Sequence, residues 1–223
     1  VWDIGQGLAV SMETQNHKLL YDTATVGMAQ MNLIPNLHAQ GWRRLDALVL
    51  SHHDNDHAGG FDAVTAAFQP ETIWAGQPEF YSQAQLCADD IRWQWDGVHF
   101  EFLRPTGTFN AVNDQSCVLR VVSNGQALLL TGDLGFAGEQ ALVAQYGDDL
   151  YSQVLVLGHH GSASSSAAAF LDAVSPRWAI ASSGFANHYR HPSAATQARL
   201  KTRNIELLRT DYRGAWRREM GSQ

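Results

Sequence analysis

The chain has 223 residues, 45% of them hydrophobic and 17% charged, with seven Trp and nine Phe, which is enough apolar material for a full core and excludes a disordered segment. Its formal net charge of −7 is uneven: residues 1–176 hold 6 Lys and Arg against 19 Asp and Glu, a net −13, and residues 177–223 hold 9 against 3, a net +6. The acidic part suits cation binding and the basic part an anionic substrate, although a solvated charged surface accounts for both, and no apolar run approaches the roughly 20 residues that span a bilayer.

The chain reads as one globular domain over 1–223. It opens at Val1-Trp2-Asp3-Ile4, inside what reads as a strand, with no initiator Met, basic leader or signal-peptide core. That is the pattern of a domain cut from a longer protein whose targeting signals lie elsewhere. In chain order, strand-like runs fall at Leu8–Met12 and Lys18–Tyr21, a helical spacing at Ala29–Gln40, a strand at Leu45–Leu50, a helix at Phe61–Phe68 and a strand at Thr72–Trp74. Strands follow at Val98–Leu103, Val118–Val122 and Ala127–Leu130, then a helix at Phe136–Tyr146, a strand at Val154–Leu157, a helix at Ala167–Val174, a strand at Trp178–Ala181 and a helix at Ala194–Thr202. Strands that cluster first and then alternate with helices predict sheets covered by helices in a layered α/β fold. Cys87 and Cys117 stand 30 positions apart with no second Cys near either, and they read as small buried residues in preference to a disulfide.

Seven of the ten histidines gather in three places, each where a strand gives way to a loop: His52, His53 and His57; His159 and His160; His188 and His191. In the first, Leu45–Leu50 leads into Ser51-His52-His53-Asp54-Asn55-Asp56-His57-Ala58-Gly59-Gly60. Imidazoles and carboxylates this dense at a strand end suit two cations a few ångströms apart: His52 and Asp54 can point to one, Asp56 and His57 to the other. The Gly pair allows a tight turn, and a helix from Phe61 would aim its N-terminus at an anion. Asp133 closes the apolar run Leu128–Leu130 after Gly132, where a carboxylate is costly unless paired or metal-bound, and it is the candidate to bridge two cations. Of the pair delivered by Val154–Leu157, His159 is the chosen ligand and His160 the alternative, one of them being left to support the other. His188-Tyr189-Arg190-His191-Pro192 reads equally as a capped loop or as a substrate contact, and Arg190, Arg199, Lys201 and Arg203 make this unit basic. Asp22, ending a strand, suits a role behind a ligating histidine.

Taken in order, Asp3-Ile4-Gly5-Gln6-Gly7, Tyr21-Asp22-Thr23, Ser51-His52-x-Asp54-x-Asp56-His57-x-Gly59-Gly60, Asn113-x-x-Ser116, Thr131-Gly132-Asp133, His159-His160-Gly161-Ser162 and His191-Pro192 resemble the metallo-β-lactamase superfamily, over nearly the whole chain. Within it the chain most resembles the C-terminal hydrolase-like domains of ComEC-type DNA internalisation proteins. The resemblance implies an αββα sandwich with the site at one edge of the sheets. It implies a metal set of His52, Asp54, Asp56, His57, Asp133 and His159, with Asp54, Asp56 and Asp133 catalytic, Asp22 behind them, and Asn113, Ser116, His160, Ser162 and His191 on the substrate side. It further implies a bacterial inner-membrane protein with a channel portion in the same polypeptide, this domain on the periplasmic or extracellular face, and DNA as the partner. The expected reaction is phosphodiester hydrolysis that degrades the strand not imported. A phosphodiesterase on cell-wall or choline-phosphate esters and a non-catalytic DNA-guiding module are the alternatives. Two departures from the wider superfamily matter: Asp54 stands where a His is usual, and Asn113, Asp114 and Ser116 occupy the region of another usual His. Oxygen in place of nitrogen hardens the site and favours two Mn²⁺ ions, with Zn²⁺ or Mg²⁺ next.

Overall fold

The computed structural model describes residues 1–107, 109 and 111–220. β1 (Val10–Glu13) and β2 (Lys18–Tyr21) pair antiparallel, with Val10 opposite Tyr21. The next helical stretch is three pieces where the spacing predicts one: α1 (Val26–Met28), a π-helical segment at Ala29–Leu33, and α2 (Ile34–Ala39). Pro35 has no N–H to give the Met31 carbonyl, and the ladder widens in the turn before it, where the Ile34 N–H reaches Ala29.

β3 (Ala47–Leu50), α3 (Asn55–Ala58), α4 (Phe61–Phe68), β4 (Thr72–Ala75) and β5 (Gln85–Leu86) complete the first half. The first sheet runs β1-β2-β3-β4-β5, parallel from β2 onward. The second half comprises β6 (Arg92–Trp95), β7 (Val98–Leu103), β8 (Val118–Ser123), β9 (Gln126–Leu130), α5 (Phe136–Tyr146), β10 (Val154–Val156), α6 (Ala168–Val174), β11 (Trp178–Ala181), α7 (Ala194–Thr202), β12 (Glu206–Arg209) and α8 (Thr210–Arg213). Its sheet has the order β12-β11-β10-β9-β8-β7-β6, parallel from β12 to β9 and antiparallel thereafter.

Alternation along the central strands divides the core into layers. Tyr21, Val49, Phe100, Phe102, Leu119 and Leu130 meet between the sheets. Leu20, Leu48 and Leu50 face the other way, against Leu33, Leu37, Val64 and Phe68 of the helices. On the far side Leu129 and Leu155 pack on Leu142, Phe170 and Leu171. This is the αββα sandwich. β5, β6 and β12 have no counterpart among the strands expected from sequence. Each lies at or beside a sheet edge, and their half-exposed faces lack the apolar run that marks a buried strand.

The expectation for the cysteines is corrected. Cys87 and Cys117 form a disulfide, with Cα atoms 5.8 Å apart. Backbone pairing brings them together: the Cys87 N–H donates to Ala75 at the end of β4, and the Cys117 N–H donates to Ser51 at the end of β3. The bridge therefore staples the two sheets beside the first histidine loop. For the 30-residue separation the chain-entropy relation gives about 3.5 kcal/mol. Replacing both cysteines with serine should lower the unfolding free energy by about that amount in a denaturant titration, and adding reductant to the wild type should produce the same loss.

Candidate metal centre

Parallel strands point their carboxyl ends the same way, and both sheets place those ends on one edge. Asp22 follows β2, Ser51 and His52 follow β3, Asp133 follows β9, and His159 and His160 follow β10. Asp22, His52, His57, Asp133 and His160 are buried, whereas the side chains of Asp54 and His159 are 53% and 35% exposed.

Asp133 is the meeting point. Its Oδ1 lies 2.9 Å from His57 Nε2 and 3.8 Å from His160 Nε2; its Oδ2 lies 3.9 Å from His52 Nε2 and 3.8 Å from His159 Nε2. Asp54 Oδ2 stands 3.4 Å from His52 Nε2, and Asp56 Oδ2 3.1 Å from His160 Nε2. Asp133 thus faces two groups, His52, Asp54 and His159 on one oxygen and Asp56, His57 and His160 on the other. Ligand atoms, one each from His52, His57 and Asp133, lie within 4.8 Å of one another, and so do one each from Asp56, His57 and His160.

The nitrogens that face away from the centre fix the tautomers. Asp22 is fully buried and accepts from the Ser51 N–H at 2.6 Å, the Ser51 hydroxyl at 2.7 Å and His57 Nδ1 at 2.7 Å. The Ser51 hydroxyl, having given its proton to Asp22, accepts from His52 Nδ1 at 3.0 Å. His160 Nδ1 donates to the Ser182 carbonyl at 2.8 Å. With Nδ1 protonated in all three, each neutral ring turns a lone pair inward. His57 Nε2 and His160 Nε2 are then two lone pairs 3.2 Å apart, an arrangement that repels unless a proton or a cation sits there. His52 Nε2 and Asp133 Oδ1 are buried without a well-directed hydrogen bond, the 2.9 Å approach of His57 being off-axis. Buried, converging and unsatisfied lone pairs beside carboxylates are the donor set of a divalent cation pair, and the residues fit one.

Where no cation neutralises the carboxylates, they draw a proton onto His57 instead. Burial lowers the pKa of His57, but Asp133 and Asp22 override it and hold the ring well above an ordinary histidine. Burial raises the pKa of Asp133, yet the charges of His57 and His160 bring it far below the carboxylate range. Burial likewise raises that of Asp56, and the hydrogen bond from His160 brings it down to about 2. In His191, burial and then the charges of His160 and His159 lower the pKa to about 4, so that ring is neutral.

Several sequence expectations change in detail. Asp56 and His57 lie in a helical turn that has no counterpart among the expected helices, because α3 begins directly after Asp54 and intervenes before α4. His159 and His160 both approach Asp133, and it is His160, expected on the substrate side, that is buried and braced. Both residues adopt the left-handed conformation, at φ 51° and 55°, which lets consecutive rings converge at a cost of roughly 1–2 kcal/mol each. Ser116, also expected to touch substrate, is buried behind the centre, where its hydroxyl accepts the Asp133 N–H at 3.2 Å. Asp114 is engaged elsewhere, receiving the N–H groups of Gly135 and Gly138 at the start of α5. Asn113 lies half-buried in the same turn, and the Ser162 hydroxyl bonds Ser164 at 3.0 Å. Of the basic unit, Arg199 donates to the carbonyls of Ala163 and Ser165 and Arg203 is paired with Asp172, so neither is free to track an anion. Sequence reasoning gave Ser51 no role, although its place directly before His52 was the available signal. The Ser182 carbonyl carries no signal at all.

The sequence model of the metallo-β-lactamase superfamily matches residues 2–184. The chain belongs to the metallo-β-lactamase superfamily. Within that superfamily it is 60% identical to "Competence protein ComA" of Neisseria gonorrhoeae, over 96% of this chain and 31% of the relative. It is 35% identical to "Recombination protein 2" of Haemophilus influenzae, over 89% of this chain and 26% of the relative. The chain therefore spans about a third or less of the curated relatives it matches. Among solved structures, the metallo-β-lactamase fold protein YhfI of Bacillus subtilis superposes over 93% of this chain and 94% of its own with a TM-score of 0.62 at 13% identity, a likeness of fold. A metallo-β-lactamase fold with this donor set is that of a metal-dependent hydrolase.

The Asp22–His57 pair gives a direct test. An Asn at position 22 can offer its amide N–H to Nδ1, which moves the ring proton to Nε2 and into the centre. Asp22→Asn should therefore lower divalent-cation affinity by about 10- to 100-fold with the fold intact, read by isothermal titration calorimetry and circular dichroism.

Proposed function

We propose that this domain hydrolyses phosphodiester bonds in DNA, and that the carrying observation is the placement of Asp133 between two His-carboxylate groups at an open sheet edge. Residues His52, Asp54, His159 and Asp133 would hold one divalent cation, and Asp56, His57, His160 and Asp133 the other. When bound, such a pair supplies the positive charge that acidifies an attacking water and steadies the phosphoryl oxygens in the transition state. Asp54, whose side chain is the most exposed carboxylate of the set, would accept a proton from solvent. Neutral His191, 5.8 Å from His159 between ring centres, would donate an N–H to a phosphate oxygen. Oxygen donors from Asp54, Asp56 and Asp133 favour Mn²⁺ over Zn²⁺.

The printed names of the relatives, a competence protein and a recombination protein, support DNA as the substrate class over small diesters. A competence relative also suits a role in DNA uptake; that this chain is one domain of a larger protein in the bacterial inner membrane, acting on the strand not imported, is proposed on the resemblance of its motifs. No helix among the described residues is long and apolar enough to cross a membrane, so a channel portion would belong to other parts of the polypeptide. The Cys87–Cys117 disulfide favours an oxidising compartment, and hence the periplasmic or extracellular face.

The test is incubation of the purified domain with end-labelled single- and double-stranded DNA across Mn²⁺, Mg²⁺ and Zn²⁺. Cleavage fastest in Mn²⁺ is expected, and Asp133→Ala should reduce it by at least about a hundredfold, since it removes a ligand from both positions. Hydrolysis of a small phosphodiester with intact DNA under every cation would overturn the substrate, and unchanged turnover in Asp133→Ala would overturn the paired centre.

A further inference from the structure

Between β11 and α7 the chain makes a loop that carries exposed rings beside the metal centre. Tyr189 is 57% exposed and Phe185 73%, two of several large exposed apolar side chains, and here they share one loop. The loop is held in shape by Asn187, whose side-chain N–H groups reach the Gly184 and His191 carbonyls while its oxygen accepts the His191 N–H at 2.8 Å. The rings it presents form a ladder leading out from the centre. His160 and His191 lie 6.4 Å apart at 25°, His191 and Tyr189 5.5 Å apart at 22°, and Tyr189 and His188 3.7 Å apart at 38°. Arg190, exposed like its neighbours, adds positive charge at the outer end.

We infer that this ladder is a stacking platform for an unpaired nucleobase, with Tyr189 and His188 as its outer rungs, which seats a single strand so that its phosphate lies over His191 and the metal centre. The inference rests on the phosphodiester reading and specifies its substrate as a strand with exposed bases. Exposed aromatic rings of this kind take any base, because every base has a π-face, and they take none that is already stacked inside a duplex. The positive charge beside it suits the backbone that accompanies the base, which an uncharged apolar partner would not supply.

The experiment separates stacking from phosphate contact and from catalysis. Affinity for a labelled single-stranded oligothymidylate, and for the same backbone with abasic sites, is measured by fluorescence anisotropy in Ca²⁺ for the wild type, Tyr189→Ala and Tyr189→Phe. Tyr189→Ala should weaken binding of the intact strand at least about fivefold, Tyr189→Phe should restore it, and all three proteins should bind the abasic strand equally. Equal affinity of wild type and Tyr189→Ala for the intact strand would overturn the platform, as would equal loss on intact and abasic strands. Binding is read without cleavage, so a wild type that binds through Tyr189 but cuts no diester would sink the hydrolytic reading alone.

Discussion

The structure turns on a single electrostatic constraint, the buried carboxylate of Asp133. It is 3% exposed, each of its oxygens faces two imidazoles, and the carboxylates of Asp54 and Asp56 stand behind those rings. Negative charge packed this way is tolerable only against positive charge. Protons on the histidines can provide it, which is what draws His57 far up and Asp133 far down. But the outer nitrogens of His52, His57 and His160 already hold protons for Ser51, Asp22 and Ser182, so a second proton on each would have to share a crowded interior. Cations relieve the same repulsion with fewer particles and use the lone pairs the tautomers leave inward.

The surrounding chain bends to that constraint. Gly132 sits at φ 54°, and a Cβ there would come within 2.6 Å of Ser51 and 2.9 Å of Ser116. The strand end carrying Asp133 can therefore approach the other sheet only through a residue without a side chain, and once there it is fastened by Ser116 Oγ. Gly7 plays the matching part from the N-terminal loop: a Cβ would meet the Asp56 carbonyl at 2.5 Å, and the Leu8 N–H uses that same carbonyl to hold the turn that aims Asp56. The disulfide adds covalent closure between the segment that follows β5 and the segment before β8, where Cys117 stands next to Ser116 and its N–H bonds the Ser51 carbonyl.

Several elements were legible. Lys18–Tyr21, Phe61–Phe68, Val98–Leu103, Phe136–Tyr146, Trp178–Ala181 and Ala194–Thr202 stand at the bounds expected from sequence; Phe61–Phe68 and the strands bury an apolar face, whereas the two later helices carry little amphipathic asymmetry and bury only a few side chains each. Arg92–Trp95 alternates Arg-Trp-Gln-Trp and still passed unread, since a four-residue edge strand buries too little to show above its neighbours. The residue types of the centre were legible because strand ends followed by His and Asp are rare and chemically expensive. Which partner each would face was not. His159 and His160 are adjacent, and the assignment between them depends on two left-handed residues in succession that nothing local in the sequence demands. The disulfide was hidden for the same reason: it depends on β3 and β4 bringing positions 51 and 75 beside 117 and 87.

The two halves of the centre are unequal, and the inequality has a direction. On the Oδ1 side, His57 and His160 are buried and each is braced by an acceptor fixed in the sheets, Asp22 and the Ser182 carbonyl. On the Oδ2 side, Asp54 and His159 reach solvent and only His52 is braced, through Ser51. Rigid support raises ligand basicity and holds geometry, while exposed donors exchange readily with water. The less supported half is also the more solvent-exposed one, and His191 of the ring-bearing loop stands beside both halves, 5.8 Å from His159 and 6.4 Å from His160 between ring centres. Structural firmness and access are thus divided between the two oxygens of one carboxylate, and a substitution behind Oδ1 disturbs the architecture where one in front of Oδ2 disturbs the encounter.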